Sequence, residues 1–543
     1  MHGRRGWGCA RGDASKPALR RWAAWTAGLG GLACLTATGG ALAQKWALAA
    51  SAGATATYNH STGANQSQDG FVTCLTAALG IHSGQEGRLK VNGTLGANEF
   101  LCTGGQGNGF APSVALAANL EAIEKFFFID ATANVSESFV TPFGPQPSNL
   151  TVQTNNRYIS QTYSVSPYIQ GVIAPNISYT LRDDNAWTPS ASYGGSSAKT
   201  PTTYLNNLNG QMSSVVGYGG GWTLQYSRQS YDNGIDTGTY VIQVGRAIGS
   251  YAVDPQVTLS LRGGYESDRF PALNGDNGAL LPSSSNAGAI YGGGINWRPT
   301  ERTLLNGYWE HRFFGSSYNW DLSHRLPNIA LSANFTRGLS SFPQLALAIP
   351  AGITVAQFLD AAFTTRIPDP AQRAAAVAQF LAQTGLPPTL ASPLNFYAQS
   401  ITLQQTASLS AVWAGIRNAL GFTLFNSRTD EISGTGSALP SVLQFGASNT
   451  QTGGGVNYSR RLSAFTNLVA SAIYATTKPT NTGGTPGNVR SNNFNTFVSV
   501  NTQLAPKTSG SVGLSYFTFD TPGASNIGSQ STVSVYASVS HTF

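Results

Sequence analysis

The stretch QVTLSLRGGYE, residues 256 to 266, alternates between apolar and polar side chains. Val257, Leu259, Leu261 and Tyr265 fall on one parity, whereas the other parity carries Gln, Thr, Ser, Arg and Glu. Successive residues of a β-strand point to opposite faces, so this strand has one apolar and one polar face. Such a strand suits a wall between lipid and water, as in a transmembrane β-barrel.

The same pattern recurs along the chain, for example in residues 289–298 and 494–504. Short turns alternate with longer loops rich in Gly, Asn, Ser and Pro, which is the asymmetry expected of periplasmic and extracellular connections. We therefore predict an all-β fold, a transmembrane antiparallel up-and-down β-barrel. About 22 strands are expected (range 20–24), from near Ala52 to Phe543, and an even number places both termini on the periplasmic side.

The composition also separates this chain from ordinary soluble proteins. Charged residues make up 10% of the sequence and 62 of 543 residues are Gly, whereas globular chains carry about 25% charged residues. Past the N-terminus there is no run of 18 or more apolar residues, which argues against a helical membrane protein. A soluble sandwich would place charge on its exposed faces, and here both faces are nearly uncharged.

Residues 1–43 have the three parts of an export signal: a basic region that ends at Arg21, an apolar stretch, and the small-residue site Ala41-Leu42-Ala43. We predict cleavage after Ala43, with a retained membrane anchor as the alternative, and a single barrel over residues 44–543. Cleavage leaves 25 basic and 23 acidic residues, so a basic nucleic-acid surface is not supported. Residues 44–51 run almost directly into the first strand, which leaves no room for the plug of a TonB-type transporter.

One segment, residues 353–385, changes to a helical period. Its second part has helix punctuation, with Asp369 as N-cap, Pro370 after it and Gly385 at the stop. We predict a short helical insert in one long extracellular loop. The insert could cap the mouth, fold inward and constrict the lumen, or have no gating role.

A charged hairpin follows if Gly315-Ser316-Ser317 forms a tight turn. In that register Arg312 would face Asp321, Glu310 would face Ser323, and Tyr308 would face Arg325. We predict a lumenal charge ladder with the members Arg262, Glu266, Arg298, Glu310, Arg312, Asp321 and Arg325. Facing rows of opposite charge can filter solutes, although such ladders can also serve only to hold strands in register.

Signatures of chemistry are missing from the sequence: it contains no G-x-S-x-G, H-E-x-x-H or Walker A motif and no His/Cys cluster. We predict no enzymatic activity, no cofactor and no metal. Cys74 and Cys102, the two cysteines that remain after cleavage, are candidates for a disulfide in an oxidising compartment, with two thiols as the alternative.

Several segments resemble the outer-membrane protein family associated with PEP-CTERM/exosortase systems in Gram-negative bacteria. The resemblance rests on KFFFIDATANVSESFVTPFGPQP (125–147), NNRYISQTYSVSPYI (155–169), YTLRDDNAWT (179–188), WEHRFFGSSYNWDLSHRLPNIALSANFTR (309–337) and IPDPAQRAAAVAQFLAQTGLP (367–387). It implies integral insertion in outer-membrane lipid, with exopolysaccharide or its export apparatus as partners. The family offers no catalytic residues to carry over.

The chain ends in STVSVYASVSHTF, residues 531 to 543. Its alternation predicts a closing strand paired with the first strand. In chains that resemble this one, a terminal aromatic after such alternation is the address read by the barrel-assembly machinery. The resemblance therefore implies an assembly signal that includes Phe543, Val539 and Tyr536.

These observations favour an integral outer-membrane barrel that acts as a passive pore or conduit, with exopolysaccharide or another surface polymer as a candidate solute. The alternative from a different class is a structural or adhesive surface barrel that displays extracellular loops without transport.

Overall fold

A computed structural model describes residues 46–543 with internal gaps. The residues outside the described part of this range are 64–67, 84–86, 103–108, 153, 193–198, 215–218, 235–237, 272, 275–279, 282–283, 342–343, 345–354, 365–366, 368, 370–371, 375, 378–380, 382–389, 395, 397–400, 432–447, 481–489 and 523–528. The predicted signal peptide, residues 1–43, lies outside the described residues.

The chain forms one closed sheet of 22 antiparallel strands, which confirms the predicted fold and strand number. Each strand pairs with its neighbours in the sequence, and β1 pairs with β22 to close the barrel. The strands are β1 Trp46–Gly63, β2 Gln68–Ser83, β3 Leu89–Cys102, β4 Gly109–Ile123, β5 Phe127–Phe139, β6 Arg157–Ala174, β7 Ile177–Thr188, β8 Thr203–Ser214, β9 Gly221–Asp232, β10 Tyr240–Ala252, β11 Val257–Phe270, β12 Ser284–Thr300, β13 Thr303–Arg312, β14 Gly315–Arg325, β15 Ile329–Ser340, β16 Thr402–Ala414, β17 Asn418–Glu431, β18 Asn449–Arg461, β19 Thr466–Pro479, β20 Ser491–Ala505, β21 Thr508–Asp520 and β22 Gln530–Thr542. A separate two-residue pair, Leu273–Asn274 with Leu280–Leu281, lies between β11 and β12.

The closing strand has the two faces that its sequence predicts. Val533, Val535 and Val539 are exposed on the outer surface, whereas Thr532 and Ser534 are buried on the inner surface. Outward side chains of a barrel meet lipid, so the apolar parity faces the membrane and the hydroxyl parity faces the lumen.

The two ends of the barrel differ. The start of β1 and the end of β22 lie at the end that carries the short turns, which is the periplasmic end of outer-membrane barrels. Outward aromatic residues stand near the strand termini at this end and form one girdle: Trp222, Tyr251, Trp297 and Trp413. A closed sheet with an apolar outer band and such a girdle is a transmembrane β-barrel of the outer-membrane type.

The predicted helical insert lies in the longest connection, residues 341–401, at the extracellular end of β15 and β16. Helix α1 spans Val355–Phe363. In the second part, the Gln372 amide donates to the Asp369 side chain at 2.8 Å, which is the predicted N-cap. Residues 372–374, 376 and 377 are helical. Among the described helices, none has the length and apolar character needed to cross a membrane.

The predicted register of the charged hairpin is wrong. Arg312 faces Gly315, and the later partners in β14 likewise lie six residues earlier than expected. Glu310 faces Ser317, Tyr308 faces Asn319, and Asp321 faces Asn306 instead. The turn consists of two phenylalanines, residues 313 and 314, followed by Gly315 with a φ of 94°. Glycine adopts this left-handed conformation without steric penalty, so the hairpin closes three residues earlier in the chain than predicted. An even displacement leaves every side chain on its predicted face.

The two cysteines share the lumenal face of β2 and β3. Cys102 faces Val72, and Cys74 faces Phe100. Both cysteines belong to one apolar cluster near the extracellular ends of these strands. The structure holds both as thiols, and the disulfide stays a prediction.

The last residue extends the seam between β1 and β22. The Phe543 amide donates to the Ala50 carbonyl at 2.9 Å, and its ring lies 5.0 Å from the His541 ring. We expect Phe543→Ala and deletion of Phe543 to reduce the amount of folded barrel in the membrane, because they remove the terminal aromatic. Phe543→Trp should stay near the wild-type level. Heat-modifiable migration on gels measures the folded fraction, and equal amounts for the Ala and Trp variants would contradict the assignment.

Candidate functional site

Helix α1 lies inside the barrel at its periplasmic end. Val355 and Leu359 are buried in one apolar cluster with Ala330 of β15 and with Val412 and Ala414 of β16. These wall residues belong to the periplasmic ends of their strands, although the insert leaves the wall at the extracellular end. The insert therefore folds inward through the lumen, which is one of the alternatives left open by the sequence.

The insert is held together by an ion pair of its own. The Arg373 Nε atom lies 2.7 Å from a carboxylate oxygen of Asp360, and its Nη1 atom donates to the Ile367 carbonyl at 3.1 Å. These contacts join α1 to the second helical part. The apolar side of α1 remains free to pack on the small wall residues, as the period of Val355, Leu359 and Phe363 predicts.

The return segment of the insert runs along the wall of β17 and β18. A Cβ atom on Gly421 would lie 3.0 Å from Leu390, and one on Gly455 would lie 2.9 Å from Ala391. Further toward the extracellular end, Gln451 exchanges two hydrogen bonds with the Leu394 main chain, at 3.1 and 2.9 Å. The two glycines leave space for the return segment, and the Gln451 side-chain amide holds it in position.

A second inward segment is the loop of residues 140–156, between β5 and β6. Arg157 binds three of its carbonyl groups, those of Pro147, Asn149 and Leu150. The Asn156 side chain closes the loop from within, through the Thr141 amide and the Thr141 and Pro145 carbonyls. The loop therefore has a fixed shape of its own.

This loop docks on the wall around the seam of the barrel. Its main chain pairs with Asn493 and Asn495 of β20 at 2.8 to 3.1 Å. Asn149 reaches Ser515 of β21 at 3.2 Å, and Asn59 of β1 donates to the Thr151 carbonyl at 3.0 Å. The loop thus bridges strands on both sides of β22 from the inside.

The remaining lumen opens toward the periplasm. Lumenal residues in the extracellular halves of β1, β6 and β22 are buried, for example Asn59, Thr162 and Ser534. Those in the periplasmic halves of β3 and β7 are exposed, for example Thr94 and Thr180. The exposed wall therefore bounds a vestibule, and the inward segments cover its extracellular side.

Part of the predicted charge ladder forms a compact network on the lumenal wall. The Glu310 carboxylate is 1% exposed and accepts from Arg246 at 3.2 Å and from Arg262 at 2.9 Å. Beside it, Arg312 donates to both carboxylate oxygens of Glu266, from Nε at 2.9 Å and from Nη2. Paired arginine and carboxylate groups satisfy each other where water has little access.

The contact between Arg262 and Glu310 passes over β12 at a position that is occupied by glycine. Gly292 of β12 lies directly between Arg262 of β11 and Glu310 of β13. A Cβ atom there would lie 2.0 Å from the Trp309 carbonyl oxygen, so only glycine permits this close approach. The Arg262 guanidinium also stacks over the Tyr308 ring at 3.7 Å, a favourable cation–π contact.

The other predicted ladder residues lie apart from this network. Asp321 accepts a hydrogen bond from Asn334 of β15, and Arg325 donates to the Glu301 carbonyl in the turn before β13. Arg298 lies near the same turn, at the periplasmic end of β12. The seven predicted residues share the lumenal parity but do not form one continuous ladder.

Sequence reasoning missed Arg246 and a second lumenal network. Arg182 of β7 binds Asp130 of β5 and Asp184, each at 2.6 Å, and lies 5.0 Å from the centre of the Tyr168 ring. These residues stand in segments quoted for the family resemblance, and the parity of YTLRDD places Arg182 and Asp184 on one face. Arg246 was detectable only from the register with β11, where it faces Gly264.

The opposite arc of the wall is nearly uncharged. Its buried lumenal residues on β18, β20 and β22 carry hydroxyl or amide groups: Asn449, Gln451, Asn457, Ser459, Ser491, Asn493, Ser499, Thr532 and Ser534. In the described part of the chain, no group of three or more His, Cys, Asp or Glu side chains converges to hold a metal. The site is therefore a polar lumen with charged and neutral arcs.

Comparisons with known proteins match the overall shape only weakly. No family model and no curated protein matches the chain. The FrpB iron transporter of Neisseria meningitidis is 9% identical over 91% of this chain and 82% of its own, with a TM-score of 0.42. The receptor Fiu of E. coli K12 is 7% identical over 91% and 81% (TM-score 0.41), and OpdK of Pseudomonas aeruginosa is 8% identical over 92% and 99% (TM-score 0.32). These values carry no functional argument for this chain.

The buried ion pairs of Glu310 should contribute to the free energy of unfolding of the barrel. Glu310→Gln removes the charge that two arginines share, and breaking a buried ion pair costs about 3–5 kcal/mol. We expect a lower urea midpoint of unfolding, followed by tryptophan fluorescence in detergent micelles. Asp430→Asn is the control, because its pair with Arg428 is exposed and such pairs contribute about 0–1 kcal/mol. Equal midpoints for the two variants would show that the network does not stabilise the wall.

Proposed function

We propose that the protein is a passive conduit in the outer membrane of a Gram-negative bacterium, closed in this structure by its own insert. The observation that carries the proposal is the position of α1, an extracellular insertion that lies at the periplasmic end of the lumen. A polar lumen that spans the barrel and an internal segment that fills part of it are the components of a gated pore.

The insert is attached far more weakly than the wall. Each wall strand is joined to both neighbours by a ladder of backbone pairs. In contrast, α1 rests on alanine and valine side chains through apolar contacts, and its ion pair with Arg373 stays within the insert. Displacement of the insert therefore leaves the wall intact.

For the solute we propose exopolysaccharide or a related surface polymer, linked to a PEP-CTERM/exosortase system. The uncharged arc of the lumen supports this choice, because its hydroxyl and amide groups can exchange hydrogen bonds with sugar hydroxyls as they move past. The family resemblance of the sequence points to the same class of polymer. The proposal requires no catalytic step.

A structural or adhesive surface barrel is the second candidate. It is favoured by the covered extracellular side of the lumen, where the loop of residues 140–156 is fixed by hydrogen bonds to both sides of the seam. Electrical conductance separates the candidates, because a scaffold has no route for ions after the insert is displaced.

Leu359→Glu tests the gate. Leu359 is fully buried under α1, and an ionised carboxylate is strongly disfavoured at such a site. We expect α1 to leave its seat and the single-channel conductance in planar bilayers to rise several-fold. Gln372→Glu places the same charge at an exposed position in the second helical part of the same insert and should leave the conductance near the wild-type value.

Two results would contradict the gate. One is a wild-type conductance already as large as that of Leu359→Glu. The other is an unchanged, near-zero conductance in Leu359→Glu, which would favour the surface scaffold, provided that heat-modifiable migration shows that the variant is folded.

The proposed solute is tested in cells. Deletion of the whole protein should abolish polysaccharide in the medium and lead to its accumulation in the periplasm, and Leu359→Glu should restore its export. The measurement is the hexose content of both fractions. Normal secretion by the deletion strain would remove exopolysaccharide as the solute and leave the conductance result unaffected.

A further inference from the structure

A cavity of about 770 Å³ lies at the periplasmic mouth, between α1 and the wall. Arg298, Arg302 and Arg325 line it from the ends of β12 and β14 and the turn between β12 and β13, and Gln357 and Asp360 line it from α1. Cavities of about 300–1,000 Å³ are typical of small-molecule sites. The insert and the wall build this cavity together.

The charge inside the cavity is positive. Arg298 and Arg302 are exposed, and neither belongs to an ion pair between described residues. Asp360 also lines the cavity, but its carboxylate is held by Arg373 at 2.7 Å. Glu301, in the turn beside Arg302, is the other acidic residue of the lining. The lining therefore contains three arginines and two acidic residues. Among the described ion pairs, Asp360 is paired with an arginine from outside the lining and Glu301 is in none.

The surrounding rim continues this charge. In the described periplasmic turns and strand ends from β10 to β21, seven basic residues stand against two acidic residues, Asp254 and Glu301. The basic residues are Arg298, Arg302, Arg325, Arg417, Arg460, Arg461 and Lys507. Like charges around a low-dielectric mouth concentrate anions there and raise their rate of entry.

The neutral part of the lining has hydrogen-bonding character. Hydroxyl and amide side chains complete the cavity, namely Gln256, Thr300, Thr303, Ser323, Ser332, Gln357 and Thr364. Arginine forks bind carboxylates through paired hydrogen bonds, and hydroxyl and amide groups suit sugar hydroxyls. An acidic saccharide presents both kinds of group.

We propose that this cavity binds the carboxylate-bearing sugars of an acidic saccharide that enters from the periplasm. The inference rests on the proposed conduit and names its substrate class. Carboxylates lie against Arg298 and Arg302, ring hydroxyls lie against the hydroxyl and amide lining, and the bound sugar contacts α1 directly.

Binding to the purified full-length barrel in detergent micelles tests the inference by isothermal titration calorimetry. The probes are trigalacturonate, the neutral trisaccharide maltotriose and inorganic phosphate. We expect trigalacturonate to bind at least about tenfold more tightly than either of the others, because only it offers both carboxylates and hydroxyls. Higher salt should weaken its binding.

The double variant Arg298→Gln with Arg302→Gln should weaken trigalacturonate binding about tenfold. The matched control is Arg417→Gln with Arg460→Gln, which removes the same charge from the same rim outside the cavity, and it should change the affinity less than about twofold. Heat-modifiable migration confirms that both proteins are folded.

Several outcomes would overturn the inference. They are the absence of trigalacturonate binding to the wild-type protein, equal affinity for maltotriose, equal affinity for phosphate, and equal losses in the two double variants. These outcomes are distinguishable from failure of the conduit. If the barrel binds trigalacturonate through Arg298 and Arg302 but never conducts ions, the binding site is supported and the conduit is contradicted.

Discussion

Closure of the sheet by β1 and β22 is the constraint on which the rest of the structure depends. Lipid offers no hydrogen bonds to the backbone, so a sheet crosses a membrane only when it has no open edge. Thirteen paired positions, from Ser51 with Thr542 to Gly63 with Gln530, join the two ends of this chain. Closure with an even number of strands places both termini at the same end of the barrel. It also fixes which parity of every strand meets lipid, and therefore which side chains are available for function.

A barrel of 22 strands encloses more space than its wall side chains can fill. Two segments enter that space, and they are attached by different chemistry. The loop of residues 140–156 is held by directional hydrogen bonds to amides of β1 and β20, which define one position. Helix α1 rests on small apolar side chains, and apolar contact is non-directional. The loop therefore acts as a brace for the seam. The insert has fewer such bonds to the wall, chiefly the two between Gln451 and Leu394, and is the part of the lumen that can move.

The sequence predicts local properties well and tertiary ones poorly. The faces of β11 and β22 follow from a period of two, and the N-cap at Asp369 follows from three neighbouring residues. The register of β13 with β14 does not follow from the period, because a shift of six residues preserves every face and depends on where the turn before Gly315 forms. Arg246 was missed because its lumenal neighbours, Ile242 and Val244, are apolar and would by period face lipid; they are buried in a lumenal cluster instead. The docking of α1 depends on wall residues more than 20 positions away in either direction, so its helical period says nothing about its place.

The seat of α1 sets the free energy that any gating must overcome. Burial of Val355 and Leu359 contributes about 1.5–3 kcal/mol each, and the two hydrogen bonds of Gln451 contribute about 0.5–1.5 kcal/mol each. The pair between Asp360 and Arg373 moves with the insert and adds nothing to this sum. A ligand shifts such an equilibrium only through different affinities for the seated and displaced states. The wall arginines hold an anion in the mouth cavity whether the insert is seated or displaced, and the charge of Asp360 is already balanced by Arg373 at 2.7 Å. Only the seated helix adds Gln357 to the lining, so a saccharide that contacts α1 binds the seated state more tightly and raises the free energy of opening.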